Sequence, residues 1–329
     1  MIVPEVSVIV PTFNRRAMVR EAVASVLAQR AVRFELIVVD DGSTDGSADQ
    51  LTKIAGQLAG SAGITMRVIR SEENRGVAAA RNRGIEAARA NLVAFLDSDD
   101  LWASDKLKYQ VDFMHDHPVC QFAQTGEVWL RGNRRVNPGR RHQKQDGDIF
   151  IESLRTCLIS PSAVMLRTAV VRAAGGFDET MSAAEDYDLW LRLLRKYPVG
   201  LLNLSLVTRR AGHPGQLSTV VPALDRFRIL ALLKLLTAGD TGGDLSIARR
   251  AAIHEVIGEK CRIYAQGLAR RGNNRVAAAV RQIGEAAAGG FAASSCSSTR
   301  ALEAYRVLLV QVSSNNRAVE ASASLGSAP

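Results

Sequence analysis

Three carboxylates crowd into four residues at Asp97-Ser98-Asp99-Asp100, directly after the apolar run Leu92-Val93-Ala94-Phe95-Leu96. Acids this close raise one another's pKa unless a cation or strong hydrogen-bond donors offset their charge. Oxygen ligands of this kind suit Mg²⁺ or Mn²⁺. Such an ion is held by one or two carboxylates and completes its shell with water and substrate phosphates, so the cluster points to a phosphorylated or nucleotide substrate. The plainer alternative is an Asx turn that caps a helix starting near Ala103.

Further polar clusters follow other apolar runs. Strand-like segments at Val6–Val10, Phe34–Val39, Thr65–Arg70 and Leu92–Leu96 alternate with helix-period segments at Arg16–Gln29, Ser47–Leu58 and Val77–Ala90. Alternation of this kind predicts an α/β fold with a mostly parallel sheet covered by helices. Ligands of such sheets lie at the carboxyl ends of the strands. There the chain places Pro11-Thr12-Phe13-Asn14-Arg15, Asp40-Asp41-Gly42-Ser43-Thr44-Asp45 and the Asp97–Asp100 cluster, which are predicted to converge on one edge. Ser43 and Asp45 are equally suited to cap the following helix.

Asn74-Arg75-Gly76 reads as a turn, and the helix after it carries Arg81, Asn82 and Arg83 near its start, an anion-binding arrangement. Arg131 to Lys144 holds six basic residues and no acid, and reads as an exposed hairpin tip or loop, either simply solvated or touching an anionic acceptor. Glu185 and Asp186 precede the amphipathic pattern Leu189, Trp190, Leu193. Acids in a first turn favour the helix dipole, and one of this pair is also placed to enter a pocket.

With 329 residues and 47% hydrophobic content, the chain has material for one large domain and an appendage. No apolar run reaches the length of a membrane span, and the N-terminus enters a strand without a charged leader, so a cytoplasmic catalytic part is expected. Cys120, Cys157, Cys261 and Cys296 are widely spaced, which suggests neither a zinc site nor a disulfide framework. From Val221 onward, 14 Lys and Arg stand against 8 Asp and Glu, so this third supplies six of the nine net positive charges. Without aromatic interleaving or a nucleic-acid motif, that surface suits peripheral contact with an anionic membrane or acceptor better than DNA or RNA, the other choice being a merely solvated basic face. The expected organisation is a domain over 1–220, a helical region over 221–312 and a disordered tail over 313–329.

Taken together, Val8–Arg15, Val38–Asp45, Asn74–Asn82, Asp97–Asp100 and Glu185-Asp186 resemble the family-2 inverting glycosyltransferases, over roughly residues 4 to 218. The resemblance implies a GT-A fold with a C-terminal helical appendage and transfer of a sugar from a nucleotide-diphosphate donor, commonly a UDP-sugar, to an acceptor hydroxyl. It implies that Asp41 reads the base, with Asp40, Pro11, Thr12 and Asn14 lining the same pocket and Arg81 near the nucleotide. Asp97 would face the ribose, Asp99 would ligate Mn²⁺ or Mg²⁺, and Asp186 would be the general base. The segment from Arg209 to Ser218 resembles the family's Arg-x-His-x-x-Ser element, in which His213 completes the metal shell and Arg209 or Arg210, with Glu185, meets the donor phosphates or the acceptor. No QxxRW-like block or membrane helix is present, which argues for one sugar per event in the synthesis of a cell-surface polysaccharide or glycoconjugate. The acceptor, carbohydrate or lipid-linked, stays open.

Two other readings compete. A nucleotidyltransferase would be expected to grip its triphosphate with a glycine-rich loop after the first strand, where Pro11-Thr12-Phe13-Asn14 has none. A non-catalytic scaffold of the same fold would not need Asp99 and Asp186 together.

Overall fold

A computed structural model describes residues 3–58, 64–132, 134–137, 139–213, 216, 221, 223–238, 245–289 and 299–308. The expected tail over 313–329, the break near 239–243 and Ser218 lie outside the described residues. The chain divides into two compact units, Met1–Val220 and Val221–Pro329.

In the first unit, strands β1 (Val6–Thr12), β2 (Phe34–Asp40), β3 (Ile64–Arg70) and β4 (Leu92–Phe95) alternate with helices α1 (Arg16–Leu27), α2 (Ser47–Leu58) and α3 (Val77–Ala87). All four strands are parallel, in the order β3-β2-β1-β4. Every residue of β1, β2 and β4 is buried. Such strands read as continuous apolar runs because helices cover both faces. Val8, Val10, Leu36 and Val38 pack with Val19, Val23 and Val26 of α1, while Ile37 and Val39 pack with Ala80 on the opposite face.

Beyond β4 the sheet continues differently. The remaining strands are β5 (Leu101–Trp102), β6 (Phe122–Arg131), β7 (Arg134–Val136), β8 (Val164–Arg167) and β9 (Gly200–Ala211), and the path runs β4-β8-β6-β9-β5 with β7 on β6. β8 is antiparallel to both β4 and β6, whereas β6 and β9 are parallel. Helices α4 (Lys106–Asp116), α5 (Phe150–Arg155), α6 (Thr168–Ala173) and α7 (Glu185–Leu194) lie along this half. The capping alternative for the acid cluster is corrected here: Asp97 to Asp100 forms a turn closed by Asp100 N–H on the Asp97 carbonyl at 3.0 Å. No helix starts near Ala103. The chain makes β5, and α4 begins only at Lys106, after Asp105, whose side chain makes no capping bond.

The strand order reverses between β1 and β4, and this is where an open α/β sheet forms its ligand crevice. The ends of β1 and β4 therefore matter most.

The second unit contains α8 (Asp225–Ala238), α9 (Ile247–Arg270), α10 (Asn274–Ala288) and helical residues 299–308. Ser246 caps α9 by accepting from Arg249 N–H at 3.2 Å. A Cβ on Gly284 would stand 2.6 Å from Cys261 Cβ, so glycine permits the close approach of α9 and α10.

Gly84 plays the same part in α3, where an added Cβ would lie 2.4 Å from Ile9 Cγ2 in the middle of β1. Gly84→Ala is expected to lower stability by about 1–3 kcal/mol through overpacking, despite alanine's better helix propensity. Thermal unfolding of the two proteins checks this; an unchanged or raised Tm would contradict the packing account.

Candidate active site

The loops after β1 and β2 are tied together before they meet the acids. Asn14 has φ 50°, a left-handed value that Asn tolerates. Its N–H donates to Ser43 Oγ at 2.9 Å, and its Oδ1 accepts from Thr44 N–H at 2.8 Å. Asp45 serves two helices, accepting from Arg16 N–H at 2.9 Å and from Ser47 N–H at 3.0 Å, so its capping role is real. Pro11 lies past the last β1–β4 pair, Ile9 with Phe95, where the missing N–H costs no rung of that ladder.

The two acids after β2 differ. Asp41 accepts from the amides of Arg75 and Gly76, the closest at 2.8 Å, and so fixes the start of α3. Asp40 is fully buried: one oxygen accepts from Ser43 N–H at 3.1 Å, and Oδ1 has no partner. Thr12 stands beside Asp40 in the sheet register, and its hydroxyl is also buried without a partner.

At the end of β4 the acids turn apart. Asp97 Oδ1 accepts from Arg81 Nη2 at 2.7 Å, while Arg81 Nη1 donates to Glu185 Oε1 at 2.5 Å. Arg81 is buried, with its guanidinium carbon 5.0 Å from the centre of the Phe177 ring. Burial disfavours its charge, but Asp97 and Glu185 more than compensate and raise its pKa. Burial raises the Glu185 pKa and Asp186 adds to that, with Arg81 acting in the opposite direction. Arg81 is thus placed between two carboxylates, joining α3, β4 and α7.

Asp99 turns the other way. Its Oδ2 meets Arg15 Nη1 at 2.5 Å and His213 Nε2 at 2.8 Å. Burial opposes ionisation, yet Arg15 and His213 outweigh it and hold the carboxyl below its ordinary value. Asp100, in contrast, is pushed well above the carboxylate range, first by burial and then by Asp99 and Asp97. It accepts from Ser162 Oγ at 2.7 Å and from Arg210 N–H at 3.0 Å, which makes it a strut between β4 and β9.

Glu185 and Asp186 are the first two residues of α7, after Ala184, whose φ of 57° is costly for a residue with a Cβ and directs the chain sharply into the helix. Asp186 Oδ1 accepts from Tyr187 N–H at 2.7 Å, and the Cys157 thiol lies 3.8 Å from Oδ2. Arg209 faces the acids: burial works against its charge, but attraction to Glu127, Asp100, Asp97 and Asp186 raises its pKa. Arg210 points elsewhere, donating to the Asp99 carbonyl and pairing with Glu21 of α1.

Cys157, Ser162 and Glu127 were given no site role from sequence, and Arg15 was named only as the end of a strand-end block. Arg15 closes the Pro11–Arg15 block and could have been read from its place at a strand end. Glu127 gives no such signal. Its side chain is buried against β6, accepting from Trp129 Nε1 at 3.0 Å, bonded to Ser160 and 3.3 Å from Lys144.

Among the described residues no three His, Cys, Asp or Glu gather to hold a metal. Asp99 and His213 nevertheless offer one ionised oxygen and one imidazole nitrogen side by side, a donor pair that fits Mn²⁺ or Mg²⁺ if phosphates and water supply the rest.

A parallel sheet extended by antiparallel strands, with acids at the reversal point, defines a GT-A fold. The Staphylococcus aureus TarS structure, residues 1–349 in complex with UDP-GlcNAc, has that architecture with a TM-score of 0.58 at 18% identity, covering 94% of this chain and 92% of that one. The sequence pattern of glycosyl transferase family 2 matches residues 7–173, and the chain belongs to that family. An uncharacterized glycosyltransferase of Rickettsia felis is 33% identical over 204 residues, 61% of this chain and 32% of that protein. The Escherichia coli UDP-Glc:alpha-D-GlcNAc-diphosphoundecaprenol beta-1,3-glucosyltransferase WfgD is 27% identical over 202 residues, 61% of this chain and 74% of that protein. The matches span about a third of the length of the first two curated relatives.

Glu127 yields a pH prediction. Burial opposes its ionisation, but Lys144 and Arg209, then Ser160 and Trp129, bring its pKa from 4.5 down to about 2. A depressed folded-state pKa stabilises the protein fully above the unfolded value near 4.5, and that gain is lost as pH falls towards about 2. Linkage puts the gain at roughly 3 kcal/mol. Glu127→Gln is expected to lower the urea midpoint at pH 7 and to flatten its fall between pH 5 and pH 3. Parallel curves for the two proteins would contradict this.

Proposed function

We propose that this protein is a non-processive inverting glycosyltransferase that moves a sugar from a nucleotide-diphosphate donor of the UDP type to an acceptor hydroxyl in the synthesis of a cell-surface polysaccharide or glycoconjugate. The observation that carries the reading is the meeting of Asp97, Asp99, Glu185 and Asp186 at the sheet's reversal point, with Arg15, Arg81, Arg209 and His213 set among them. The name of WfgD gives a UDP-sugar donor and a lipid-diphosphate-linked acceptor, and TarS was solved with UDP-GlcNAc, which supports the same classes here.

The roles follow from what each side chain can do. Asp41 Oδ1 has taken one amide donor at 3.1 Å, and a carboxylate oxygen accepts a second, such as the imide N–H of a uracil. Thr12, Asn14, Pro11 and Asp40 form the wall beside it, and Asp97 presents its outer oxygen to the ribose. Asp99 and His213 would hold Mn²⁺ or Mg²⁺, which when bound supplies Lewis-acid neutralisation of the departing diphosphate. Arg209 adds a fixed positive charge beside the acids. A thiol is a weak donor, so Cys157 leaves Asp186 Oδ2 able to take the acceptor's proton as the hydroxyl attacks the anomeric carbon opposite the leaving group. No covalent enzyme nucleophile is needed.

No helix among the described residues is long and apolar enough to cross a membrane. The basic excess after Val221 supports peripheral contact with an anionic membrane at the cytoplasmic face.

Asp186→Asn and Asp99→Ala are each expected to cut release of UDP from its sugar donors by at least about 100-fold, given the usual worth of a general base or a metal ligand. EDTA should abolish turnover and Mn²⁺ restore it. Turnover unaffected by EDTA would remove the metal assignment, and full activity in Asp186→Asn would remove the base.

A further inference from the structure

A second cavity, of about 610 Å³, opens on the β6–β7 hairpin and the 3-10 turn Arg140–His142. Trp129, Arg131, Arg140, Arg141, His142 and Ala211 are among its lining residues, and no Asp or Glu is among the described ones. Its size is that of a small-molecule site.

Arg131, Arg140 and Arg141 share the lining of one cavity, Arg141 Nε donating to His142 Nε2 at 3.1 Å, and three like charges with no carboxylate among the described lining residues favour an anion there. Arginine forks match phosphate oxygens in pairs, which a solitary ammonium does not do. The cavity is also connected to the acids already described. Trp129 forms part of its wall, with its ring centre 5.4 Å from that of His142, and Arg209 lies 4.9 Å over the same indole. Arg209 in turn faces Asp97, Asp100 and Asp186. Ala211, in the lining, is two residues before His213, which meets Asp99. The donor's diphosphate belongs at Asp99, so a phosphate in this second cavity must come from another molecule.

We propose that this cavity is an acceptor subsite that holds a phosphate or diphosphate ester carried by the acceptor, with Arg131, Arg140 and Arg141 as its ligands. The word acceptor rests on the glycosyltransferase reading; binding of the phosphate group does not. Held there, the acceptor is anchored by its charged group beside the acid site, and its hydroxyl is delivered to Asp186 from a fixed point.

The test is calorimetric titration of the full chain with inorganic pyrophosphate in EDTA, which withholds the metal that the donor site requires. Pyrophosphate is expected to bind, with affinity that falls as salt rises. R140A/R141A should weaken it at least tenfold, R140K/R141K less, and R134A/R135A, on β7 outside the lining, by no more than twofold. Absence of binding to the wild type, or equal losses in R134A/R135A and R140A/R141A, would overturn the subsite. So would loss of sedimentation with phosphatidylcholine–phosphatidylglycerol vesicles in R140A/R141A while pyrophosphate affinity stays unchanged, because the arginines would then serve a membrane surface. Geranyl diphosphate and glycerol 3-phosphate, titrated in the same way, separate a prenyl-linked diphosphate from a phosphodiester polymer as the source; R140A/R141A-sensitive binding of either supports the subsite. UDP with Mn²⁺ reports the donor reading separately: its affinity should be unchanged in R140A/R141A, and failure of UDP to bind the wild type would remove that reading while leaving the pyrophosphate result intact.

Discussion

The site depends on one buried cation. Arg81 spans Asp97 on one side and Glu185 on the other, 16 and 104 residues away in sequence, with Phe177 beneath its guanidinium. Removing the guanidinium and the Glu185 carboxylate from water costs several kcal/mol per ion, recovered only if each charge finds a partner in good geometry, while Asp97 stays partly exposed. Two short hydrogen bonds and an aromatic face meet most of that condition, and the Arg81 Nε–H alone of its guanidinium nitrogens is buried without a partner. The same contact sets where α7 begins, and hence where Asp186 projects. A residue that resemblance places near a nucleotide is therefore also the brace that brings the remaining acids within reach of one another.

Once those acids are together, environment decides what each becomes. Asp99 and Asp100 are adjacent and identical, yet one is pulled down by Arg15 and His213 and the other is driven up by burial and its neighbours' charge. Asp99 is left facing cations that it neutralises, while both oxygens of Asp100 are taken up by Ser162 Oγ and Arg210 N–H. That division follows from the turn at Asp97–Asp100, which sends successive side chains toward different cations. Divergence also explains why five acids fit into one cleft without mutual expulsion: Arg15, Arg81, Arg209 and His213 separate them.

The parallel half of the fold was legible in the sequence because its strands are buried on both faces and read as unbroken apolar runs. Val6–Val10 and Phe34–Val39 were each placed within two residues of their true ends. The antiparallel half was not, since β5, with two residues, and β8, with four, carry too little pattern, and β6 is half-exposed toward its hairpin. In the site, residues in motif blocks were found and residues that serve them were missed. Ser162 illustrates this: it donates to Asp100, and its Oγ accepts from Asp97 N–H at 3.1 Å, yet nothing in its neighbourhood in sequence marks it. Its role comes only from β8 pairing with β4.

Strand β9 shows how a period of two distributes chemistry. Arg209 and Arg210 are neighbours with one formal charge each, and from sequence they were interchangeable as phosphate ligands. On a strand they must face opposite ways. Arg209 looks over Trp129 toward the acids, while Arg210 is spent on Glu21 and the Asp99 carbonyl, holding β9 against the β4 turn and α1. The pairing of β6 with β9 sets Trp129 opposite Arg209 and Arg131 opposite Ala211. One register thus fixes both the cation beside the acids and the wall of the basic cavity. A slip of one residue would exchange Arg209 for Arg210 and turn the inward cation outward. The long β6–β9 ladder, broken only by the irregularity around Gly126, is what prevents it.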